Sequence, residues 1–394
     1  MRLLKTPIGR VVVSGGAVLA SVMMFANASS HADDVKHESW SSFRNGLKNL
    51  GVAASPLADE LELKWEFKTP DGTASTPVIA DGKTYAATLS GDVHCFELKT
   101  GKKLWTYRSV EMVAENDIAP GFNAPLTLDE TTIFVGDDFG TFHAIERATG
   151  KRRWAFETAG EIVGGAQIVD GNVIFGSHDG FLYCFNVKSG EQVWKAETFG
   201  PVNATPTIVG KYTFTTGCDQ PVLRVFEIEK GTTAKEVPIE ALLLASAAAT
   251  DKNLYFGTDG GGVYSLDWET SKEVWSFSVP KREQQIRTSP AVTDDLIIFG
   301  SRDKHVHCLD KKTGELKWSF ATRGRVDSSP VIAGQRVYFG SADRNVYGLN
   351  ISDGKEVWKY PAKQSISGSP AIADGYLVIG TDTSNGKIMC FGKK

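Results

Sequence analysis

The sequence predicts an all-β fold, an eight-bladed β-propeller of four-stranded antiparallel blades, and three observations carry this prediction. A pattern of about 40 residues recurs along the chain, which is typical of repeat architectures. Glycine is abundant, at 40 of 394 residues, and supplies turns between short runs of valine and aromatic residues. A tryptophan that ends most copies is missing after the last copy, whereas an additional one, Trp65, precedes the first.

Each copy of the repeat predicts one blade. The clearest copy begins at Ser329-Pro330, continues through residues 337–340 and ends at Trp358. Within it, β-branched and aromatic residues alternate, and pairs such as Asp353-Gly354 mark turns, so that four short strands fit into each unit. WD40 and kelch propellers are disfavoured, because no Trp-Asp dipeptide occurs and no Gly-Gly doublet recurs at the period.

The register of the repeat gives the number of blades and the way in which the ring closes. One position, proline in most copies, occurs eight times, at Pro77, Pro125, Ala166, Pro206, Ala247, Pro290, Pro330 and Pro370. The copy at Pro370 holds only three predicted strands, and residues 61–67, with Trp65, lie ahead of the first copy. We therefore expect the N-terminal strand to complete the last blade, because an open ring would leave an unpaired sheet edge.

The N-terminal residues have the features of a secretory signal peptide. Three basic residues precede an apolar run at residues 11–25, which is shorter than the about 20 residues of a membrane span. Cleavage after Ala28 or after Ala32, or retention as an anchor, stays open. No cysteine follows the apolar run to carry a lipid, so we expect a periplasmic or secreted protein without stable membrane insertion after cleavage. The predicted segments are a signal peptide (1–28), an N-terminal extension (29–60) and the propeller (61–394).

Charge and cysteine usage exclude some classes of function. Lysine and arginine number 43 against 47 aspartate and glutamate residues, so that no basic excess exists to bind nucleic acid. Four of the five cysteines occupy one small-residue position of the repeat, which predicts core packing and not disulfides, and Cys218 lies outside that position. Three histidines, at 94, 143 and 307, replace an aromatic residue of the repeat, so we predict no metal site.

Residues that vary at a fixed register predict the binding surface. The position three residues before the proline enters the innermost strand and is expected to surround one mouth of the central channel; its occupants are Ala74, Phe122, Val163, Asn203, Leu244, Arg287, Asp327 and Ser367. Charged residues concentrate in the sixth and seventh copies. The predicted site therefore consists of Gln285, Arg287, Arg325, Asp327 and Asn203.

The chemistry of these side chains predicts recognition and not catalysis. Two arginines beside Asp327 suit the binding of a small anion or of a partner's carboxylate. The alternative is a solvated loop with a local ion pair, which is common on protein surfaces. An exposed sugar-binding face is a further alternative, for which Phe122 and Phe199 are the candidate aromatic residues.

The segments that end in tryptophan resemble the docking motif of the pyrroloquinoline-quinone-like (PQQ-like) eight-bladed propeller family. The motif reads Leu-Asp-Lys-Lys-Thr-Gly-Glu-Leu-Lys-Trp at residues 309–318, with five further copies. Residues 40–46 also resemble the Trp-x-x-Phe-Arg-Gly opening of exported members, with Asn45 where glycine is usual. The resemblance covers nearly the whole chain after the signal peptide and implies an eight-bladed propeller.

The family resemblance implies two alternative functions. Members similar to the outer-membrane assembly factor BamB are scaffolds without a cofactor, and the compact repeats here resemble that branch, although the lipidated cysteine is absent. We therefore expect an exported, non-catalytic scaffold that recognises an envelope or extracellular protein, or a small ligand, at one face. The alternative is an oxidoreductase that uses PQQ and calcium, with Asp327 as its base. The chain has neither the Cys-Cys pair of many such enzymes nor a haem-binding Cys-x-x-Cys-His.

Overall fold

The computed structural model describes residues 38–110, 119–216 and 220–394. The predicted signal peptide, its cleavage sites and Cys218 lie outside the described residues. Nothing in these ranges forms a helix that would be long and apolar enough to cross a bilayer.

Eight four-stranded antiparallel sheets form the blades, which we number by the order of their innermost strands. From the axis outward, blade 1 consists of β2 (Val78–Ala80), β3 (Lys83–Ala87), β4 (Asp92–Glu97) and β5 (Lys103–Arg108), and blade 2 of β6 (Thr127–Leu128), β7 (Thr132–Gly136), β8 (Thr141–Glu146) and β9 (Arg152–Glu157). Blade 3 consists of β10 (Gln167–Val169), β11 (Asn172–Ser177), β12 (Phe181–Asn186) and β13 (Gln192–Glu197), and blade 4 of β14 (Thr207–Val209), β15 (Tyr212–Thr216), β16 (Val222–Glu227) and β17 (Thr233–Pro238).

The remaining blades repeat this order, except that the first strand of the chain supplies the outer edge of blade 8. Blade 5 consists of β18 (Ala248–Ala249), β19 (Asn253–Gly257), β20 (Gly262–Asp267) and β21 (Lys272–Ser278), and blade 6 of β22 (Ala291–Val292), β23 (Leu296–Gly300), β24 (His305–Asp310) and β25 (Leu316–Ala321). Blade 7 consists of β26 (Val331–Ala333), β27 (Arg336–Gly340), β28 (Asn345–Asn350) and β29 (Glu356–Pro361), and blade 8 of β30 (Ala371–Ala373), β31 (Tyr376–Gly380), β32 (Lys387–Lys393) and β1 (Leu61–Lys68).

Strand position within a blade explains the composition of each strand. The middle strands are covered on both faces by neighbouring blades, so that β27 and β28 are almost continuously buried. The outermost strand β29 instead alternates exposed and half-buried residues. The predicted ring closure is confirmed, because β1 pairs with β32 and places Trp65 opposite Cys390. Cys308 and Trp318 face each other in the same way in blade 6.

The docking tryptophans join each blade to the next. The Trp318 Nε1–H donates to the carbonyl of Ile351 in blade 7 at 2.8 Å. Its ring covers Gly354, where a Cβ would lie 2.6 Å from the indole and where φ is +70°. The same pairing recurs as Trp65–Gly101, Trp105–Gly150, Trp154–Gly190, Trp194–Gly231 and Trp275–Gly314. We call each such contact a seam, and its role is the structural one that the sequence predicted.

The seam between blades 4 and 5 is built differently. Lys235 pairs with Val225, the register at which other blades place the tryptophan. Its Nζ donates to the carbonyls of Trp268 at 3.1 Å and Glu269 at 2.6 Å, which replaces the indole hydrogen bond. Ser271, with φ of +58°, stands where six other seams have glycine. Without an indole ring above it, this turn tolerates a Cβ.

Residues 40–53 of the chain lie in the central channel, and we call them the plug. The plug meets successive innermost strands around the ring. Its backbone pairs with Ile79 in blade 1 and with Ile332 in blade 7. Between these ends, plug carbonyls accept hydrogen bonds from the backbone amides of Leu128, Ile208, Ala249 and Val292 and from the side chain of Gln167. The inner strands of blades 1 to 7 therefore bond to the plug as well as to their own blades.

Candidate functional site

The loops that lead into the innermost strands surround an open pocket at one end of the channel. This mouth pocket has a volume of about 170 Å³, and residues of all eight blades line it. Phe43 of the plug also lines it, so the plug limits its depth. Six of its lining residues occupy the predicted mouth register: Ala74, Val163, Asn203, Leu244, Arg287 and Asp327.

Blade 2 corrects one prediction about this ring. In blade 1, Val78 directly follows Pro77 and pairs with Tyr85. The equivalent residue of blade 2 is Thr127, which pairs with Phe134 but stands two places after Pro125, so the register there is shifted by one residue relative to the proline. Asn123, and not Phe122, therefore lines the pocket. Phe122 is fully buried in the core, so it is not an exposed sugar-binding residue. The sequence pattern missed the shift because a proline stands one residue early in the loop.

Two arginines bind the carboxylate of Asp327 at the mouth, and one of them, Arg325, belongs to the predicted site. Arg302 binds Asp327 with two parallel hydrogen bonds, Nε to Oδ1 at 2.9 Å and Nη2 to Oδ2 at 3.0 Å. Arg325 Nε also donates to Asp327 Oδ2 at 2.9 Å. The hydrogen bond to Asp327 raises the pKa of Arg302. The cluster therefore holds three arginines, with Arg287, around one carboxylate and is net positive.

Arg302 is the residue that sequence reasoning missed. It lies in the hairpin turn between β23 and β24, away from the loop that precedes the innermost strand. The equivalent turn position holds His178 in blade 3, whose Nε2 lies 2.5 Å from Asn203 Oδ1. A hairpin-turn residue thus contacts a mouth residue in both cases, Arg302 with Asp327 and His178 with Asn203. The charge at this turn position was the available signal.

Arg287 is the least engaged cation of the cluster. Its Nε donates to Gln285 Oε1 at 3.2 Å, and Gln285 also accepts from Arg302 Nη1 at 3.3 Å. No other hydrogen bond of Arg287 is found in the described ranges. The side chain lines the pocket and is exposed. Four predicted residues, Gln285, Arg287, Arg325 and Asp327, are therefore brought together, whereas Asn203 lies in the loop before blade 4 and contacts His178 of blade 3.

Hydroxyl groups fix the wall below the mouth. The Thr205 hydroxyl accepts from the Gly165 amide at 2.9 Å, and the Thr205 amide donates to the Ser246 hydroxyl at 2.8 Å. In the same way, the Ser329 hydroxyl accepts from the Ser289 amide at 3.0 Å, and the Ser329 amide donates to the Ser369 hydroxyl of blade 8 at 3.0 Å. Because these bonds run from blade to blade, the mouth residues stand on a rigid frame.

A cluster with metal-ligand chemistry lies outside the mouth pocket. Within the described ranges, Asp303, His305 and His307 place their ligand atoms within 4.8 Å of one another. His307 Nε2 is 3.0 Å from Asp303 Oδ2. At the same register in blade 7, the Tyr347 hydroxyl donates to Asp343 at 2.6 Å. The histidine contact is thus a variant of a hydrogen bond that braces the hairpin turn.

The fold and the tryptophan seams define the class of PQQ-like eight-bladed propellers. A family model described as outer membrane protein assembly factor BamB matches residues 89–182, 162–287 and 282–391. Because these matches span most of the chain, the protein belongs to this family, as the docking motif indicated.

The relatives of the chain fall into both branches of the family. It is 28% identical over 244 residues to a lupanine 17-hydroxylase (cytochrome c) from a Pseudomonas species, across 56% of this chain and 32% of that enzyme. It is 21% identical over 245 residues to BamB from Shewanella oneidensis, across 55% of this chain and 60% of that protein. The chain thus matches about a third of the length of the enzyme.

The fold also matches a solved structure of BamB. The crystal structure of BamB from Moraxella catarrhalis superposes with a TM-score of 0.68 at 19% identity. The match covers 85% of this chain and 98% of that chain. At this identity the match establishes the fold alone.

The mouth pocket does not fit a quinone–calcium pair. Cofactor pockets commonly measure about 300–1,000 Å³, whereas this pocket measures about 170 Å³. Calcium takes about 6–8 oxygen ligands, rich in carboxylates. Asp327 is the one carboxylate among the lining residues, and both of its oxygens already accept from arginines. Asn123 and Asn203 add two amide oxygens, and that of Asn203 already lies 2.5 Å from His178 Nε2.

Proposed function

We propose that this protein is an exported, non-catalytic binding protein that recognises an acidic group of a protein or small ligand at the channel mouth. Arg287 carries the proposal: its guanidinium lines a pocket on a rigid ring and has only one hydrogen bond within the described residues. Arg302 and Arg325 neutralise Asp327, so that Asp327 does not repel an anion. A guanidinium binds a carboxylate through two parallel hydrogen bonds.

The partner that these observations favour is an envelope protein with an exposed carboxylate. The chain as a whole carries a formal charge of −4, whereas the mouth cluster is positive. A positive patch on an otherwise acidic surface selects the orientation in which an acidic partner docks. BamB, which shares the fold, is named for its role in assembling outer membrane proteins, which suits such a partner.

Site-specific photocrosslinking in cells tests this proposal. A photoreactive phenylalanine analogue replaces Val163 or Leu244, both at the mouth, or Lys188 in a turn that does not line the pocket. We expect a defined crosslinked product from the mouth positions, and its loss when Arg287 and Arg325 are both changed to alanine. Crosslinks that persist in this double variant would contradict the proposal.

Arg323→Ala is the matched control. Arg323 lies in the same loop and is also exposed, but it does not line the pocket. Its removal lowers the positive charge of the loop by the same amount as the removal of one mouth arginine. We expect the crosslinks at Val163 and Leu244 to survive this change, since the cluster around Asp327 stays intact.

A PQQ-dependent oxidoreductase is the second candidate, and the lupanine hydroxylase relative is the observation that favours it. Titration of the purified protein with PQQ, with and without Ca²⁺, separates the two functions through tryptophan fluorescence and calorimetry. We expect no saturable binding at tens of micromolar. Calcium-dependent binding at one site would favour the oxidoreductase and justify a dehydrogenase screen with alcohols.

A further inference from the structure

Arg44 is a fully buried arginine in the middle of the plug. It is 1% exposed, and its backbone adopts φ of +61°. The Gly51 amide donates to the Arg44 carbonyl at 2.9 Å, which closes residues 44–51 into a loop. The guanidinium lies against Gly51, where an added Cβ would overlap it. The loop therefore holds this side chain inside the channel.

The guanidinium has no partner in the described part of the chain. None of its three nitrogens makes a hydrogen bond, and no carboxylate forms an ion pair with it. Within the plug, the Asn49 side chain is already engaged. Asn49 donates to Thr207 Oγ1 at 3.0 Å and accepts from Gln167 Nε2 at 2.9 Å.

A buried cation without a counter-charge is strongly destabilising, because it loses hydration and no opposite charge of the protein compensates for the loss. Burial lowers the pKa of Arg44 to about 9, which still leaves the group charged at neutral pH. Burial alone causes this shift, and no acidic group raises the pKa of Arg44. The charge therefore needs compensation from outside the polypeptide.

We propose that Arg44 binds a small monovalent anion, of the size of a halide or formate, inside the channel beside the plug. A guanidinium presents five N–H donors in a planar fork, and here all three nitrogens are available. Full burial limits the ligand to a small one and strengthens its attraction to the cation. This site is separate from the mouth cluster, because Arg44 does not line the mouth pocket.

Bromide gives a direct readout, because it scatters X-rays anomalously. We expect crystals of the protein soaked in sodium bromide to show an anomalous peak within hydrogen-bonding reach of the Arg44 guanidinium. Ordered water alone at that place, with bromide elsewhere in the crystal, would overturn the proposal. This measurement uses the unchanged protein, so it does not depend on whether a variant folds.

Thermal unfolding measures anion binding at the same site in solution. In sodium bromide, with gluconate keeping the ionic strength constant, we expect the Tm of the wild type to rise by about 2 °C for each tenfold increase above Kd. Arg44→Met keeps the shape of the side chain and removes its charge, so the rise should disappear. Arg44→Lys, which keeps the charge without the fork, should show a smaller rise and serves if Arg44→Met does not fold.

Lys48→Met is the matched control. Lys48 belongs to the same plug and changes the net charge equally, but it forms an exposed ion pair with Asp251 at 2.5 Å. Its variant should keep the bromide response of the wild type. Equal responses in the wild type and in the Arg44 variants would overturn the proposal, since bromide would then act on the protein in general.

Discussion

At the scale of single residues, the seams depend on a paired choice of tryptophan and glycine. Trp318 lies so close to Gly354 that a Cβ there would be 2.6 Å from the ring. At the seam where Lys235 replaces the tryptophan, the glycine is replaced as well, by Ser271. We therefore expect steric contact with the ring, and not only the positive φ, to require glycine at these positions.

Gly354→Ser separates these two causes. The serine must adopt φ of +70° and also overlap the indole, so we expect a loss of about 2–4 kcal/mol in the free energy of unfolding. Gly375 has φ of +76° with nothing within 4 Å of an added Cβ, so Gly375→Ser should cost about 1 kcal/mol. Urea unfolding measures both values. Equal losses would mean that the ring contact contributes nothing.

His94 gives the core of blade 1 a pH dependence. Burial, together with the charge of Lys103, lowers the pKa of His94 to about 4. The unfolded chain takes up this proton near pH 6.5, so the free energy of unfolding should fall from pH 6.5 towards pH 4. The contribution of His94 to this loss is at most about 3 kcal/mol. His94→Gln should flatten the curve, and an unchanged slope would contradict this assignment.

At the scale of elements, ring closure follows from the register alone. The missing tryptophan of the last copy and the additional Trp65 predicted that β1 would pair with β32, and it does. A repeated pattern makes such predictions reliable because every copy packs in the same way. The shift at Phe122 was missed because it occurs in one blade, and Arg302 was missed because it lies in a hairpin turn outside the mouth register.

Strand β1 should therefore be essential to the closed ring. Trp65 is 9% exposed and its Nε1 donates to the Leu98 carbonyl at 2.8 Å. We expect Trp65→Ala to cost about 3–5 kcal/mol, and deletion of residues 61–67 to cost more, because the ring then opens. Glu62→Ala changes an exposed residue of the same strand and should leave the unfolding midpoint in place. An unchanged Tm in the deletion variant would contradict the closure.

At the scale of the whole molecule, the plug is a part of the propeller that does not belong to the repeat. Residues 40–53 occur once, so the repeat register gave no indication of where they lie. Their hydrogen bonds reach the inner strands from blade 1 to blade 7, and Phe43 lines the mouth pocket. A single segment thus ties the blades together and limits the depth of the candidate site. The site and the stability of the channel are therefore coupled.

Displacing the plug should loosen the inner strands together. Gly51→Ala places a Cβ on the Arg44 guanidinium at φ of +67°, whereas Gly46→Ala, at φ of +104°, meets nothing within 4 Å. Hydrogen exchange reports on the strand amides that donate to the plug, namely those of Leu128, Ile208, Ala249, Val292 and Ile332. We expect Gly51→Ala to speed their exchange at least about tenfold, a local loss of about 1.4 kcal/mol, and Gly46→Ala to act less. Because one segment holds these amides, their rates should rise together; a change confined to blade 7, next to Gly51, would mean that each blade is stable without the plug.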